Sequence, residues 1–275
     1  MDLAKTLDEA EKSVLAYYRE VKSSFPYDYT LEPAQSSEEF QKMSGWKILN
    51  GDAGQLELAQ IKRMEIPLSP VRNSPFLQGF WRSGPRVHEQ IWRSLASSPD
   101  PLLLNISVRC TVLYEREREK LLKASEEISA IHDQPLINPQ TLSGMQSYNK
   151  KYVERRLVPW TKFYYLQVHL ASACKLSGDL LRAIGTSLTL NSNGETLPGY
   201  QVLLPDQKQA QTWQQNLKNL DTIFSDSNVP VARLSEVADL EEVFAVFRLP
   251  YCPPENGLPN VTYLSAHTEN TKQKV

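Results

Sequence analysis

The stretch PLLLNISVRCTVLY, residues 101–114, alternates apolar and polar side chains along most of its length. The apolar series comprises Leu102, Leu104, Ile106, Val108, Cys110 and Val112. Successive side chains of a strand point to opposite faces of a sheet, so this alternation predicts a strand with one buried face. Strands of parallel sheets are buried on both faces and are apolar throughout, so the pattern favours an antiparallel sheet.

Predicted helices follow the predicted strands along the chain. The helix EREREKLLKASEEISAIH occupies residues 115–132, and the strand TKFYYLQVHLASA at 161–173 leads to a helix that begins after Ser177. The strand GYQVLLP at 199–205 leads to a helix capped by Asp206. We therefore expect an α+β fold of alternating strands and helices, with two ferredoxin-like lobes whose helices pack on one face of mainly antiparallel sheets.

The domain boundaries follow from these elements. We expect residues 1–55 to form an N-terminal helix and an irregular segment, residues 56–252 to form the α+β domain, and residues 253–275 to form a Pro/Gly exit and a polar tail. The two lobes of the α+β domain are expected at 56–135 and 157–252.

Two shorter stretches also have the composition of strands. GWKILNGDAG, residues 45–54, predicts a short strand and a turn. The apolar stretch from Val243 to Leu249 predicts a last strand that closes the sheet, before a turn rich in proline.

Composition limits the function classes. The chain has 275 residues, 41% of them hydrophobic, and a net charge of −2, so the chain as a whole has no positive field that would attract nucleic acid. Its N-terminus is charged, and no stretch approaches the roughly 18 to 20 apolar residues of a membrane span. The three cysteines are odd in number and far apart, which favours a reducing compartment, so we expect a cytoplasmic protein.

Catalytic motifs are missing from the sequence. It contains no G-x-x-x-x-G-K-[ST] phosphate loop, no G-x-G-x-x-G, no H-E-x-x-H and no C-x-x-C. Its four histidines are scattered, without cysteines at metal-ligand spacing. We therefore expect no catalytic residue, no cofactor and no metal, and we expect that the chain is not an enzyme.

A basic stretch with interleaved aromatic residues, KKYVERRLVPWTKFYY at 150–165, is the best candidate for binding nucleic acid. Basic side chains contact phosphates, and aromatic rings stack on bases. The candidate contacts are Lys150, Lys151, Arg155, Arg156, Trp160 and Lys162. The same letters also fit an amphipathic helix with a basic outer side that leads into a strand.

Several stretches together resemble a known family. These are PLLLNISVRCTVLYEREREKL, YNKKYVERRLVPWTKFYYLQVHLASA, SGDLLRAIGTSLT and LEEVFAVFRLPYCPPENGLPNV. In order and spacing they resemble the N-terminal α+β region of bacterial ATPases of the HerA, FtsK and conjugative-transfer (type IV secretion-like) class. The resemblance covers roughly residues 65–261, and its sharpest part is Phe247-Arg248-Leu249-Pro250 followed by Gly257-Leu258-Pro259.

The resemblance implies a non-catalytic assembly or adaptor domain of an ATP-driven DNA-translocation or secretion-type motor. The family's phosphate loop lies beyond the Pro/Gly turn, so this chain is expected to lack the nucleotide-binding core. The implied partner is an ATPase motor domain, in the same polypeptide or in another, or a second copy of the chain. Arg248, Pro250 and Gly257 are the candidate contacts to the motor. The alternatives are a stand-alone nucleic-acid-binding module and an unrecognised enzyme.

Overall fold

The computed structural model of the chain describes residues 6–24, 32–51, 56–67, 75–77, 79–81, 85–132, 149–191, 198–221 and 233–247. The predicted motor contacts Arg248, Pro250 and Gly257 lie outside these residues. The chain divides into two compact units, Met1–Trp46 and Lys47–Val275.

In its described residues, the first unit contains helices α1 (Leu7–Ser24) and α2 (Ser37–Met43). Helix α1 confirms the helix predicted near the N-terminus. Helix α2 begins with an N-cap: the hydroxyl of Ser36 accepts a hydrogen bond from the backbone N–H of Glu39 at 3.1 Å.

The second unit contains the strands. They are β1 (Glu57–Arg63), β2 (Glu65–Pro67), β3 (Pro75–Leu77), β4 (Gly79–Trp81), β5 (Leu102–Thr111), β6 (Phe163–Ser172), β7 (Thr189–Asn191), β8 (Tyr200–Leu203) and β9 (Val237–Asp239). The remaining helices are α3 (Trp46–Leu49), α4 (Pro85–Ala96), α5 (Glu115–His132), α6 (149–157), α7 (Gly178–Leu188), α8 (Gln207–Lys218) and α9 (Leu240–Val246).

One antiparallel sheet organises this unit. Its strand order is β5-β6-β1-β8, and β9 also pairs with β6. Strands β1 and β9 share one edge of β6: β1 pairs with the part from Val168 to Ser172, and β9 pairs with Phe163 to Tyr165. Strands from both predicted lobes therefore lie in the same sheet. The predicted α+β class with antiparallel strands is confirmed.

The main core lies on the face of the sheet to which the even-numbered residues of β6 point. Leu166, Val168 and Leu170 of β6 pack there in one buried cluster with Ile184 and Leu188 of α7. The apolar series of β5 faces the same side, because Leu104 lies opposite Leu170 and Ile106 opposite Val168. The alternation in β5 thus has the orientation that its sequence predicts.

Helix α8 packs on one end of the opposite face. Leu217 of α8 is buried with Leu58 of β1 and Ala171 of β6. Asp206 caps this helix as predicted, since its carboxylate accepts a hydrogen bond from the N–H of Gln209 at 2.7 Å. Ser177 likewise caps α7.

The predicted last strand is wrong over its described part. Residues Leu240–Val246 form helix α9, and the strand is the preceding Val237–Asp239. The reason is local: Asp239 and Glu242 form a capping box, in which each side chain accepts a hydrogen bond from the other residue's backbone N–H at 3.1 Å. This arrangement starts a helix at Leu240.

The strand predicted within residues 45–54 is also wrong, because Trp46–Leu49 forms helix α3. Tertiary contacts hold this turn of helix. Leu49 is buried in the cluster beneath α8, and its carbonyl accepts a hydrogen bond from the side-chain amide of Gln214 at 2.6 Å.

Candidate functional site

The connection between α6 and β6 holds a tryptophan in an exposed position. The side chain of Trp160 is 98% exposed, and its backbone φ is 66°, a left-handed conformation that is uncommon outside glycine. A left-handed residue with a Cβ costs about 1–2 kcal/mol. Strain of this kind is often found at functional sites.

Local contacts keep the connection in this shape. Pro159 follows the end of α6, and the hydroxyl of Thr161 donates its one proton to the carbonyls of Val158, at 2.9 Å, and Arg155, at 3.3 Å, as a shared hydrogen bond. This shared bond satisfies carbonyl groups at the C-terminus of the helix, which have no partner within the helix. The connection is therefore held by its own sequence, with the indole pointing outward.

Trp160 lines a shallow depression with a volume of about 470 Å³. Its apolar lining comes from Trp160, Val158 and Leu240, and Leu240 is the first residue of α9. Phe244 lies one turn after Leu240, on the same side of α9, and is also exposed. We call Val158, Trp160, Leu240 and Phe244 the Trp160 surface.

Charges of both signs surround this depression. Arg155 donates to the carboxylate of Asp239 at 2.7 Å and to that of Glu241 at 2.7 Å. Lys162 adds a second positive charge to the lining. Two basic and two acidic side chains line the depression, so their charges balance.

The inner side of α9 is fixed by a buried ion pair. Arg156 of α6 donates to Glu242 at 2.6 Å, and its guanidinium lies 3.4 Å from the ring centre of Tyr152. Arg63, at the end of β1, donates to the other carboxylate oxygen of Glu242, also at 2.6 Å. We call Arg63, Tyr152, Arg156 and Glu242 the Glu242 cluster.

Arg63 also completes the junction between β1 and β9. Its guanidinium donates to the carbonyls of Ser235 at 3.1 Å and Val237 at 3.0 Å. These carbonyls lie at the point along β6 where pairing with β9 gives way to pairing with β1. The guanidinium of Arg63 therefore satisfies buried backbone groups at that point.

The charge state of Glu242 follows from its neighbours. Burial alone would raise the pKa of Glu242, but the guanidinium groups of Arg156, Arg63 and Arg155 hold this pKa below its usual range. Burial likewise opposes the charge of Arg156, and Glu242 together with Tyr152 and Asp239 raises the arginine's pKa above its ordinary value. Both groups are therefore charged at neutral pH.

A second arginine ties α5 to the sheet. Arg233 donates to the carboxylate of Glu117 at 2.6 Å and to the hydroxyl of Tyr165 at 2.6 Å. Its guanidinium also lies 3.9 Å from the ring centre of Tyr114. Burial opposes the charge, but the bonds to Glu117 and Tyr165 raise the pKa of Arg233 above its ordinary value.

A buried histidine lies on the same face of the sheet as Tyr165. His169 of β6 lies opposite Asn105 of β5 and Gln60 of β1, and the ring of Trp213 meets it edge to face at 5.5 Å. Neither ring nitrogen has a hydrogen-bond partner among the described residues. Burial lowers the pKa of His169 to about 4, so the ring is neutral at neutral pH.

The structure separates the six residues predicted to bind nucleic acid. Arg155, Trp160 and Lys162 line one depression, as described above. Lys150 and Lys151 lie in the first described turn of α6, where Lys150 is 3.8 Å from Glu154. Arg156 is completely buried, so it lies outside any surface that a nucleic acid can reach.

Sequence reasoning missed Leu240, Phe244, Arg63 and Glu242. One signal was present: an Asp followed three residues later by Glu, as at Asp239 and Glu242, is typical of a capping box and predicts a helix start. Nothing near Arg63 in the sequence points to its partners, which are more than 170 residues away.

The described part of the chain contains no group of three metal-binding side chains placed to hold an ion. In the same residues, no helix is both long enough and apolar enough to cross a membrane. No protein-family model matches the chain, and no curated protein and no solved structure matches it either.

Proposed function

We propose that this chain is a non-catalytic assembly or adaptor domain of an ATP-driven DNA-translocation or secretion-type motor. The resemblance of its sequence to the N-terminal regions of such ATPases supplies the class of motor. The Trp160 surface supplies the docking site for the motor domain. The exposed indole of Trp160 is the observation that carries this proposal.

An exposed tryptophan beside other apolar side chains is a strong candidate for an interface anchor. Tryptophan is enriched among the residues that dominate binding energy. Its side chain buries 150–250 Å². At 25 cal/mol per Å² this burial is worth roughly 4–6 kcal/mol, of which the entropy lost on association offsets a part. The Glu242 cluster holds α9 in place, so Leu240 already lies beside Trp160 before a partner binds, and Phe244 follows Leu240 on the same side of α9.

A nucleic-acid partner is the second candidate, because Trp160 and Lys162 line the same depression. A stacking ring next to a cation is the pattern that single-stranded nucleic acid binds. Two observations favour a protein partner instead. Asp239 and Glu241 neutralise Arg155, and Arg156 is buried. The surface therefore lacks the positive field that phosphates require.

Photocrosslinking at position 160 tests the proposal directly. Trp160 is replaced by benzoylphenylalanine in the cells that produce the protein, and the adducts are identified by mass spectrometry. We expect an adduct with a polypeptide that carries a G-x-x-x-x-G-K-[ST] phosphate loop. The matched control places the same group at Leu122, which is exposed on α5. Adducts that are the same at both positions, or that contain no such polypeptide, would overturn the proposal.

A second measurement separates the two candidates. A short labelled single-stranded oligonucleotide is titrated with the purified chain at low salt, and fluorescence anisotropy is recorded. We expect no change in anisotropy. Binding that weakens steeply with salt and is lost in Trp160→Ala would replace the docking proposal with the nucleic-acid module. ATP turnover by the purified chain would contradict the non-catalytic role.

A further inference from the structure

Strand β5 forms a long edge of the sheet. Its ten residues pair with β6 from Leu102, opposite Ser172, to Thr111, opposite Phe163, in one continuous register without a bulge. Among the described strands, β6 is the only partner of β5. The opposite edge of the sheet is formed by β8, which has four residues.

Within its own described residues, β5 lacks the features that usually prevent edge strands from associating. Natural edge strands are short, bulged, or protected by proline or by several charges. Strand β5 contains no proline, and Arg109 is its only charged residue. Val108 is 39% exposed and Val112, just after the strand, is 64% exposed, so the apolar series remains accessible at this end. An edge with these properties is a template for another strand.

The sequence of β5 is compatible with antiparallel pairing to itself. If Ser107 lies on the two-fold axis, Leu104 is opposite Cys110 of the second copy, and Ile106 is opposite Val108 of the second copy. Residues that lie opposite each other point to the same face, so the apolar series of one copy meets that of the other.

Charge disfavours one alternative register. With Ser107 on the axis, Arg109 is opposite the amide of Asn105 from the second copy. A register centred on Arg109 would instead place two guanidinium groups opposite each other, which is destabilising. In the register at Ser107, the two copies of β5 also overlap along their whole length. The exposed end of each β5 then lies beside the partly buried start of the other copy's β5.

We propose that two copies of this chain associate through β5, antiparallel and with Ser107 at the two-fold axis, so that one sheet continues across the dimer. The contact is isologous: each copy contributes the same edge, and the assembly closes as a dimer. It uses a different surface from Trp160, and it does not depend on the proposed motor function.

Disulfide crosslinking tests the register. In a chain whose three cysteines are replaced by serine, Ser107→Cys places the new thiol opposite the same thiol of the second copy. Mild oxidation should then give a covalent dimer. Leu104→Cys in a chain that keeps Cys110 alone should crosslink as well. Cys110 alone should not, because the two Cys110 residues would be six positions apart along the strands, roughly 20 Å. Crosslinking through Cys110 alone, without crosslinking at position 107, would overturn this register.

Sedimentation equilibrium tests the association itself. We expect a concentration-dependent dimer whose dissociation constant rises at least about tenfold in Val108→Lys, a loss of about 1.4 kcal/mol. Leu122→Lys, on the exposed side of α5, is the matched control and should leave the dimer unchanged. Circular dichroism establishes that the variants are folded. Trp160→Ala should also leave the dimer intact. A wild-type chain that stays monomeric at every concentration would overturn the proposal.

Discussion

Arg156 and Glu242 form a buried ion pair with an N–O distance of 2.6 Å, although 86 positions separate them in the chain. The pair joins α6, which leads to Trp160, to α9, which carries Leu240 and Phe244. The Trp160 surface, the proposed docking site, is therefore assembled by an interaction that lies beneath it.

Glu242→Gln should destabilise the fold by about 3–5 kcal/mol, because it leaves the buried Arg63 without its anion and leaves Arg156 only the more distant carboxylate of Asp239, at 3.7 Å. Glutamine can still serve in a capping box, so the change removes the charge and keeps the helix start. Urea unfolding measures the effect. Glu241→Gln is the matched control: Glu241 is 74% exposed and pairs with Arg155 at the surface, so its loss should cost less than about 1 kcal/mol. Equal losses in the two variants would contradict the role of the Glu242 cluster.

Trp160→Gly should be more stable than Trp160→Ala. Both changes remove the indole, but only glycine relieves the left-handed backbone at φ 66°. The relief of about 1–2 kcal/mol is partly offset by the greater freedom of glycine in the unfolded chain, which leaves roughly 0.5–1 kcal/mol. Urea unfolding compares the two variants. At Val158, whose backbone φ is not positive, the glycine variant should be the less stable one. Both variants should lose partner docking to the same extent, because both lack the indole.

Acidification should lower the free energy of unfolding through the buried His169. The folded-state pKa of His169 is about 4 and the ordinary value is 6.5, so between these pH values the unfolded chain binds the extra proton. Stability therefore falls as pH decreases from 6.5 to 4, and this one group contributes about 3 kcal/mol of that loss. His169→Phe keeps a ring against Trp213 and removes the titration. Unfolding free energies measured across this range should depend less on pH in the variant, and identical profiles would show that His169 is not responsible.

Gly185→Ala should destabilise the protein, even though alanine has the higher helix propensity. A Cβ at this position of α7 would lie 2.4 Å from the ring of Tyr200, which is buried on β8. Relieving that overlap should cost about 1–3 kcal/mol. Gly178→Ala, at the start of the same helix, is the control, because a Cβ there meets nothing within 4 Å. Thermal unfolding compares the stability of the two variants. A Gly185→Ala variant more stable than the wild type would show that α7 and β8 can move apart without cost.

The elements predicted from strong local patterns were confirmed. The alternation in residues 102–111 predicted strand β5, and the caps at Ser177 and Asp206 predicted the starts of α7 and α8. Each of these signals depends on neighbours within a few residues. The apolar stretch after Asp239 was misread as a strand, because its composition outweighed the capping box that begins α9.

The candidate site could be predicted only in part. The basic and aromatic composition of residues 150–165 indicated a binding surface, and Trp160 and Lys162 do line one depression. The same composition gave no means of distinguishing Arg155, at the surface, from Arg156, which is completely buried. Both arginines suit a basic helix, and only the position of Glu242 determines which of them faces the core.

The sequence by itself determined the α+β class, the antiparallel strand at 102–111 and the capped helices. These features depend on periodicity and on short-range hydrogen bonds. The tertiary structure decided that β1 and β9 share one edge of β6, that Arg63 and Arg156 meet on Glu242, and that Leu240 lies beside Trp160. These contacts join segments far apart in the chain, and a buried charge is stable only where the fold brings its partner to it.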